Sequence, residues 1–353
     1  MDREVLLDEA VALLRRLIET PRLSRHEGEA ADVLEGFLRG RGLACERIGS
    51  NLVLGLERHD DSLPTLLLCA HIDTVKPTTA WTREPYVPSL EGEALYGIGA
   101  NDDGASLVCL LQAYRMLLQS KQPYNLLLAL TAEEEVSGKG GIESVLPLLP
   151  RVDVALVGEP TAMQPAIAEK GLMVLDVTAK GKAGHAARQE GDNAIYHAID
   201  DMQWFRTYQF PKQSPLLGAV KMTVTVVSAG TQHNVIPSEC QFTVDVRSNE
   251  LYSNEELLSL ITQSVKSEVK ARSTRLGSSS ISPSHPLVRR TVELGGKPFG
   301  SPTLSDQALL PFPSLKLGPG DSRRSHTADE YILLQELRQA IPCYYRLLDG
   351  LSL

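Results

Sequence analysis

The chain has 353 residues, 42% of them apolar and 22% charged, with 27 glycines and 21 prolines. That length exceeds one ordinary core and asks for two domains, and the composition excludes a disordered, collagen-like or disulfide-stapled chain. The formal charge of −9, from 44 carboxylates against 35 Lys and Arg, repels phosphate backbones and argues against a nucleic-acid partner.

The first predicted element is a helix over 4–19. Its apolar residues Leu6, Leu7, Ala10, Leu13, Leu14, Leu17 and Ile18 keep a helical period until Thr20-Pro21 stops it. Apolar runs at 51–56 and 65–70 read as strands, 104–119 as a helix and 125–131 as a strand. A helix then begins near Gly140, and a strand covers 153–157. Continuous apolar strands alternating with helices predict an α/β sheet covered on both faces.

The texture changes after Lys170-Gly171. Segments 172–179, 220–228 and 239–247 alternate polar and apolar side chains, as strands with one wet face do. A helix near 193–207 lies between the first two. A helix at 254–270 and a strand at 273–279 follow the third. The order β-α-β-β-α-β predicts a ferredoxin-like unit. The Gly/Ser/Pro-rich stretch 277–286 reads as the return, 315–318 as a strand and 329–349 as the last helix. The expectation is a smaller domain, 171–280, inserted into a larger α/β domain made of 1–170 and 281–353.

Five cysteines (Cys45, Cys69, Cys109, Cys240 and Cys343) with no C-x-x-C fit reduced, mostly buried thiols. No signal-peptide core or membrane-length apolar run occurs, so the expected setting is cytoplasmic, without a membrane partner.

Three apolar runs end in groups that carry chemistry. One ends in His71-Ile72-Asp73, one in Glu133-Glu134-Glu135 and one in Glu159-Pro160. Ligands of open α/β sheets bind outside the carboxyl ends of strands. The loop GIGANDDGAS adds Asp102 and Asp103, and GPGDSRRSHTADEY adds His326. This set of imidazoles and carboxylates without thiolates suits Zn²⁺, Co²⁺ or Mn²⁺, and a bridging carboxylate permits a two-metal hydrolytic site. Each residue alone has a plainer reading. A lone histidine is usually structural, and an acidic run usually caps a helix. Cys69 reads as core, and GIGANDDG lacks the spacing of a dinucleotide loop.

Taken in order, HIDTV, GIGANDD, TAEEEVSG, VGEPT, GKAGHAARQEGDNAI and GPGDSRRSHTADEY resemble the signatures of the M20 metallopeptidases. The similarity is greatest to the branch of acetylornithine deacetylases and succinyl-diaminopimelate desuccinylases. The resemblance implies a zinc-aminopeptidase-like α/β catalytic domain with an inserted ferredoxin-like lid that dimerises. It implies two Zn²⁺ per subunit, one on His71 and Glu159, the other on Glu135 and His326, with Asp102 bridging. Asp73 would orient His71, and Glu134 would be the general base for a metal-bridging hydroxide. From the lid, His185 would stabilise the oxyanion in the partner subunit's site, and Asn234 and Arg247 would grip substrate. Gly318 and Gly320 would present backbone to it.

Two positions depart from the family. The family's Lys-Gly after the bridging aspartate is replaced here by Asp103-Gly104-Ala105. Glu133 stands where the family has Asp, so base and ligand could be Glu133 and Glu134; the distance to Gly138 favours Glu134 and Glu135. The implied activity is removal of an acetyl or succinyl group from an amino acid, foremost N-acyl-L-ornithine in arginine biosynthesis. Succinyl-diaminopimelate, acetyl-lysine and dipeptides are alternatives, as is a non-catalytic binding homologue.

Overall fold

The computed structural model describes residues 2–188 and 190–353; Gln189, inside the GKAGHAARQEGDNAI motif, lies outside them. The chain forms two compact units. The first holds residues 2–167, Ser280–Phe299 and Ser305–Leu353, and the second holds Ala168–Ser279 with Gly300–Leu304. The last of these segments groups with the second unit, whereas the division expected from the sequence assigns it to the larger domain. There the Lys170 amide donates to the Ser301 carbonyl at 3.2 Å.

The first unit is an α/β structure around a mixed sheet. Six strands lie wholly within it, in the order Glu46–Ile48, Asn51–Leu54, Asn125–Thr131, Thr65–His71, Val154–Val157 and Ser314–Lys316. The four from Asn125–Thr131 onward run parallel, and the first two are antiparallel. Thr65–His71 and Asn125–Thr131 are buried at every position. That explains their unbroken apolar sequence, since helices or loops cover both faces. Helix Gly104–Leu117 is buried nearly all round. It packs against helices Arg3–Glu19 and Leu334–Leu348 and strand Thr65–His71. Helix Arg3–Glu19 buries the seven residues its sequence period marks, and Asp2 caps it by accepting the Glu4 amide at 3.0 Å.

The second unit is a four-stranded antiparallel sheet in the order Lys221–Ala229, Glu239–Arg247, Met173–Lys180, Glu268–Ala271. Helices Ala194–Thr207 and Asn254–Ser264 complete the β-α-β-β-α-β order. Alternate residues Met173, Leu175, Val177 and Ala179 enter its core beside Phe242, Val244 and Val246.

Several boundaries differ from expectation. The helix expected over 254–270 ends at Ser264, and the last strand is 268–271 rather than 273–279. Asp201, buried on the neighbouring helix, accepts the amides of Lys266 and Ser267 at 3.1 and 2.8 Å and turns the chain there. The last helix starts at Leu334, because Tyr331–Leu333 pairs with Ala94–Tyr96. The helix near Gly140 is only Ile142–Val145. Helix Gly28–Arg39 has no counterpart in the sequence reading.

Candidate metal centre and active site

In the register of the parallel strands His71 lies opposite Thr131, and Cys69 opposite Val157. The three strands therefore end at one rim. Their continuations deliver His71, Asp73, Glu134, Glu135 and Glu159 there, where polar side chains begin as backbone leaves the sheet. Asp102 comes from the loop before helix Gly104–Leu117. Buried Glu330 holds that loop by accepting the amides of Gly99, Asn101 and Asp102 at 2.9, 2.8 and 2.8 Å. His326 comes from the turn before Tyr331–Leu333 and is held at φ 59.

The side chains meet. His71 Nδ1 is 3.0 Å from the Asp73 carbonyl and 3.5 Å from Asp73 Oδ1, which leaves Nε2 facing the cluster. That Nε2 is 3.1 Å from Asp102 Oδ1 and 3.9 Å from Glu134 Oε2. His326 Nε2 is 2.9 Å from Glu135 Oε2 and 3.7 Å from Asp102 Oδ2. The two oxygens of Asp102 thus face two different imidazoles. Ligand atoms of His71, Glu134 and Glu159 lie within 4.8 Å of one another, as do those of His71, Asp102 and Glu135.

Asp73 does more than face His71. Its carboxylate accepts the Ser24 hydroxyl at 2.7 Å and the amides of Glu134 and Glu135 at 3.0 and 3.1 Å. One buried acid therefore sets both the imidazole and the acidic loop. Glu133 is turned elsewhere. Its amide donates to Glu27 Oε1 at 3.0 Å, and its carboxylate accepts the Gly140 amide at 3.4 Å and lies 3.9 Å from Arg25 Nε. Gly138 and Gly140 leave the room its side chain needs, for a Cβ on either would collide with it.

Burial pushes the carboxyls of Glu134 and Glu159 well above the ordinary range, and neighbouring carboxylates add to the rise. Burial would raise Asp102 too, but the hydrogen bond and charge of His71 hold it low. The hydrogen bond that His326 donates to Glu135 lifts the imidazole to about 9. Four carboxylates and two imidazoles thus crowd a space that cannot ionise them all. Dications offset such a charge, and an oxygen–nitrogen donor set fits Zn²⁺, Co²⁺ or Mn²⁺. Cys69 is fully buried and its thiol is pushed up by burial, as a core residue's is.

Gly318 and Gly320 serve packing. The Gly318 amide donates to Thr161 Oγ1 at 3.0 Å, and its carbonyl accepts from Met163 at 2.8 Å. A Cβ there would strike the Glu159 backbone, and one on Gly320 would strike the Asn101 side chain. The Gly318 amide and carbonyl are thus both hydrogen-bonded within the chain.

In the second unit His185 and Asn234 come together: strand Gly184–His185 pairs with Val235–Ile236, and the Ala186 amide donates to the Asn234 carbonyl at 3.0 Å. His185 is exposed, and its Nδ1 accepts the Ala187 amide at 3.1 Å, so the neutral ring carries its proton on Nε2. Arg247 closes its fork on Asp245 of its own strand, at 2.8 and 3.0 Å.

Sequence reasoning missed Ser24, Glu27 and Glu330, and also Asp306, a buried acid that accepts the Thr131 hydroxyl at 2.7 Å. Glu27 and Glu330 act on backbone amides, and Ser24 and Asp306 on side chains of distant segments, and no spacing signal marks such partners.

The sequence profile described as Peptidase family M20/M25/M40 matches residues 67–350. The acetylornithine deacetylase of Edwardsiella ictaluri is 28% identical over 91% of this chain and 92% of its own length. A succinyl-diaminopimelate desuccinylase of Cereibacter sphaeroides is 26% identical over 90% and 88%. Among solved structures, the aminopeptidase PepT of Bacillus cereus superimposes with a TM-score of 0.76 at 17% identity, covering 99% of this chain and 98% of that one. The YXEP protein of Bacillus subtilis, described as a dinuclear metal-binding peptidase, gives 0.74 at 17% identity over 98% of both chains. These two likenesses establish the fold.

Proposed function

Because the chain belongs to peptidase family M20/M25/M40 and is an amide-bond hydrolase, we propose that it removes an N-acetyl or N-succinyl group from an amino acid. The substrate we favour is N-acyl-L-ornithine, in arginine biosynthesis. The named activities of the curated relatives support that class. The observation that carries the reading is Asp102, whose two oxygens face His71 and His326. We assign His71, Asp102 and Glu159 to one Zn²⁺, and Asp102, Glu135 and His326 to a second, with Co²⁺ or Mn²⁺ as substitutes. Two such ions, when bound, polarise the scissile carbonyl and lower the pKa of water.

The chain's own groups do the rest. Glu134 lies within ligand reach, but Asp102, Glu135 and Glu159 already supply three negative charges. We therefore assign Glu134 to proton transfer, from the attacking water to the leaving amine. Asp73 orients His71 and fixes the Glu134 backbone. His185 offers its Nε2 proton to the oxyanion, and Asn234 and Arg247 are the candidates for holding the substrate's carboxylate. The proposed setting is a cytoplasmic homodimer formed through the second unit. All five cysteines are free, and no helix among the described residues is long and apolar enough to cross a membrane.

The deciding experiment compares hydrolysis of acetyl-ornithine, succinyl-ornithine, acetyl-lysine and succinyl-diaminopimelate by zinc-loaded protein. An acyl-ornithine should give the highest kcat/KM. A higher value for another member of the panel replaces the substrate. Absence of both bound zinc and hydrolysis sinks the enzyme reading in favour of a binding homologue.

A further inference from the structure

Arg22 is the only buried arginine among the described residues, at 2% exposure. Its Nη2 donates to the Gly99 carbonyl at 2.9 Å. Its own carbonyl accepts from Thr74, the neighbour of Asp73, at 2.9 Å. Nε and Nη1 have no hydrogen-bond partner among the described residues. Two unsatisfied donors on a buried cation cost stability unless the charge itself is used.

The surroundings show the use. Burial pulls the guanidinium down to about 10, against the attraction of Glu330, Asp73 and Asp103. The loop 97–106, GIGANDDGAS, carries two aspartates and no cation of its own. Two of its glycines form the seat. Gly99 has φ +68, and a Cβ on it would collide with Arg22 Nη2; a Cβ on Gly104 would stand 3.2 Å from the same nitrogen. The loop is thus gripped from two sides, by Glu330 on three amides and by Arg22 on the Gly99 carbonyl.

We propose that Arg22 is a positioning residue for the metal centre, fixing the loop that carries Asp102 through Gly99 and offsetting the negative charge of Glu330 and Asp73. It acts through those groups and is assigned no contact with substrate. The inference rests on the two-metal reading above.

The test titrates Zn²⁺ into metal-stripped wild type, Arg22→Met, Arg22→Gln and Arg22→Lys against a chromophoric chelator, with the melting temperature of each metal-free protein as control. Loss of such a supporting partner lowers metal affinity about ten- to a hundredfold. That loss is expected for Met and Gln, with most of it recovered by Lys, which keeps the charge without the fork. Should the Met variant fail to fold, Gln against Lys still decides, since Gln keeps a donor for Gly99 and removes the charge. Wild-type zinc affinity in the Gln variant overturns the proposal. Equal weakening of Gln and Lys also overturns it, by assigning the effect to shape. Wild type that binds no zinc overturns the metal reading itself, which is a different result.

Discussion

Glu133 enters the acidic loop at φ 56 with its amide on Glu27, while the next two amides donate to Asp73. Three identical side chains in a row are thereby aimed at different places. Glu134 and Glu135 face the histidines, and Glu133 faces Gly140 and Arg25. The expected outcome for Glu134→Gln is a fall in kcat of about 10²- to 10⁴-fold, the usual worth of a positioned base, with both zinc ions retained by metal analysis. Glu133→Gln should stay close to wild type in kcat. The opposite pairing of results would move the base one residue upstream.

Among the elements, helix Pro286–Glu293 has an unusual start. His285 caps it, Nδ1 accepting the Leu287 amide at 3.2 Å, and only a neutral ring can accept there. Burial lowers the His285 pKa from its ordinary 6.5. Near pH 6 the unfolded chain then binds more protons than the folded one, so stability rises with pH. The cap's contribution is full above about 6.5 and is lost as pH falls through the lowered folded value. His285→Asn, which caps without titrating in that range, should flatten that part of the melting temperature's pH profile in metal-free protein; an unchanged profile would refute the assignment.

The same scale shows what the sequence could and could not say. Helix Arg3–Glu19 and the buried strands were legible because their burial repeats with the period of the element. Helix Asn254–Ser264 was overrun because its end is set by Asp201, from another helix. Of the candidate ligands, His71, Glu135 and Glu159 were legible because they stand where apolar strands stop, and Asp102 and His326 because each follows a glycine-rich turn. Glu330, Arg22 and Ser24 were not, since their partners are backbone or carboxyl groups tens of residues or more away. Only folding brings them together.

At the scale of the molecule, strand Lys221–Ala229 is an edge of the second unit's sheet, and it exposes Val226 and Val227 at 58% and 56%. The adjacent helix Ala194–Thr207 exposes Tyr196 and Ile199 at 68% and 52%. An apolar edge of this kind invites pairing with a second copy. Val226→Asp with Val227→Asp should convert the proposed dimer to a monomer in sedimentation analysis. If His185 serves the partner's site, activity falls with it; a fully active monomer would contradict that role.

Strand Ser314–Lys316 pairs with Val154–Val157 although the whole second unit intervenes in the chain. On a ribosome, which adds about 5–20 residues per second, the earlier strand emerges on the order of ten seconds before its partner. During that interval an apolar strand has one open side, the condition under which nascent chains aggregate or recruit chaperones. His326 emerges later still. A ribosome-bound chain halted before residue 326 therefore has a rim of carboxylates without its second imidazole, so the proposed two-metal centre is completed only after both units have been synthesised.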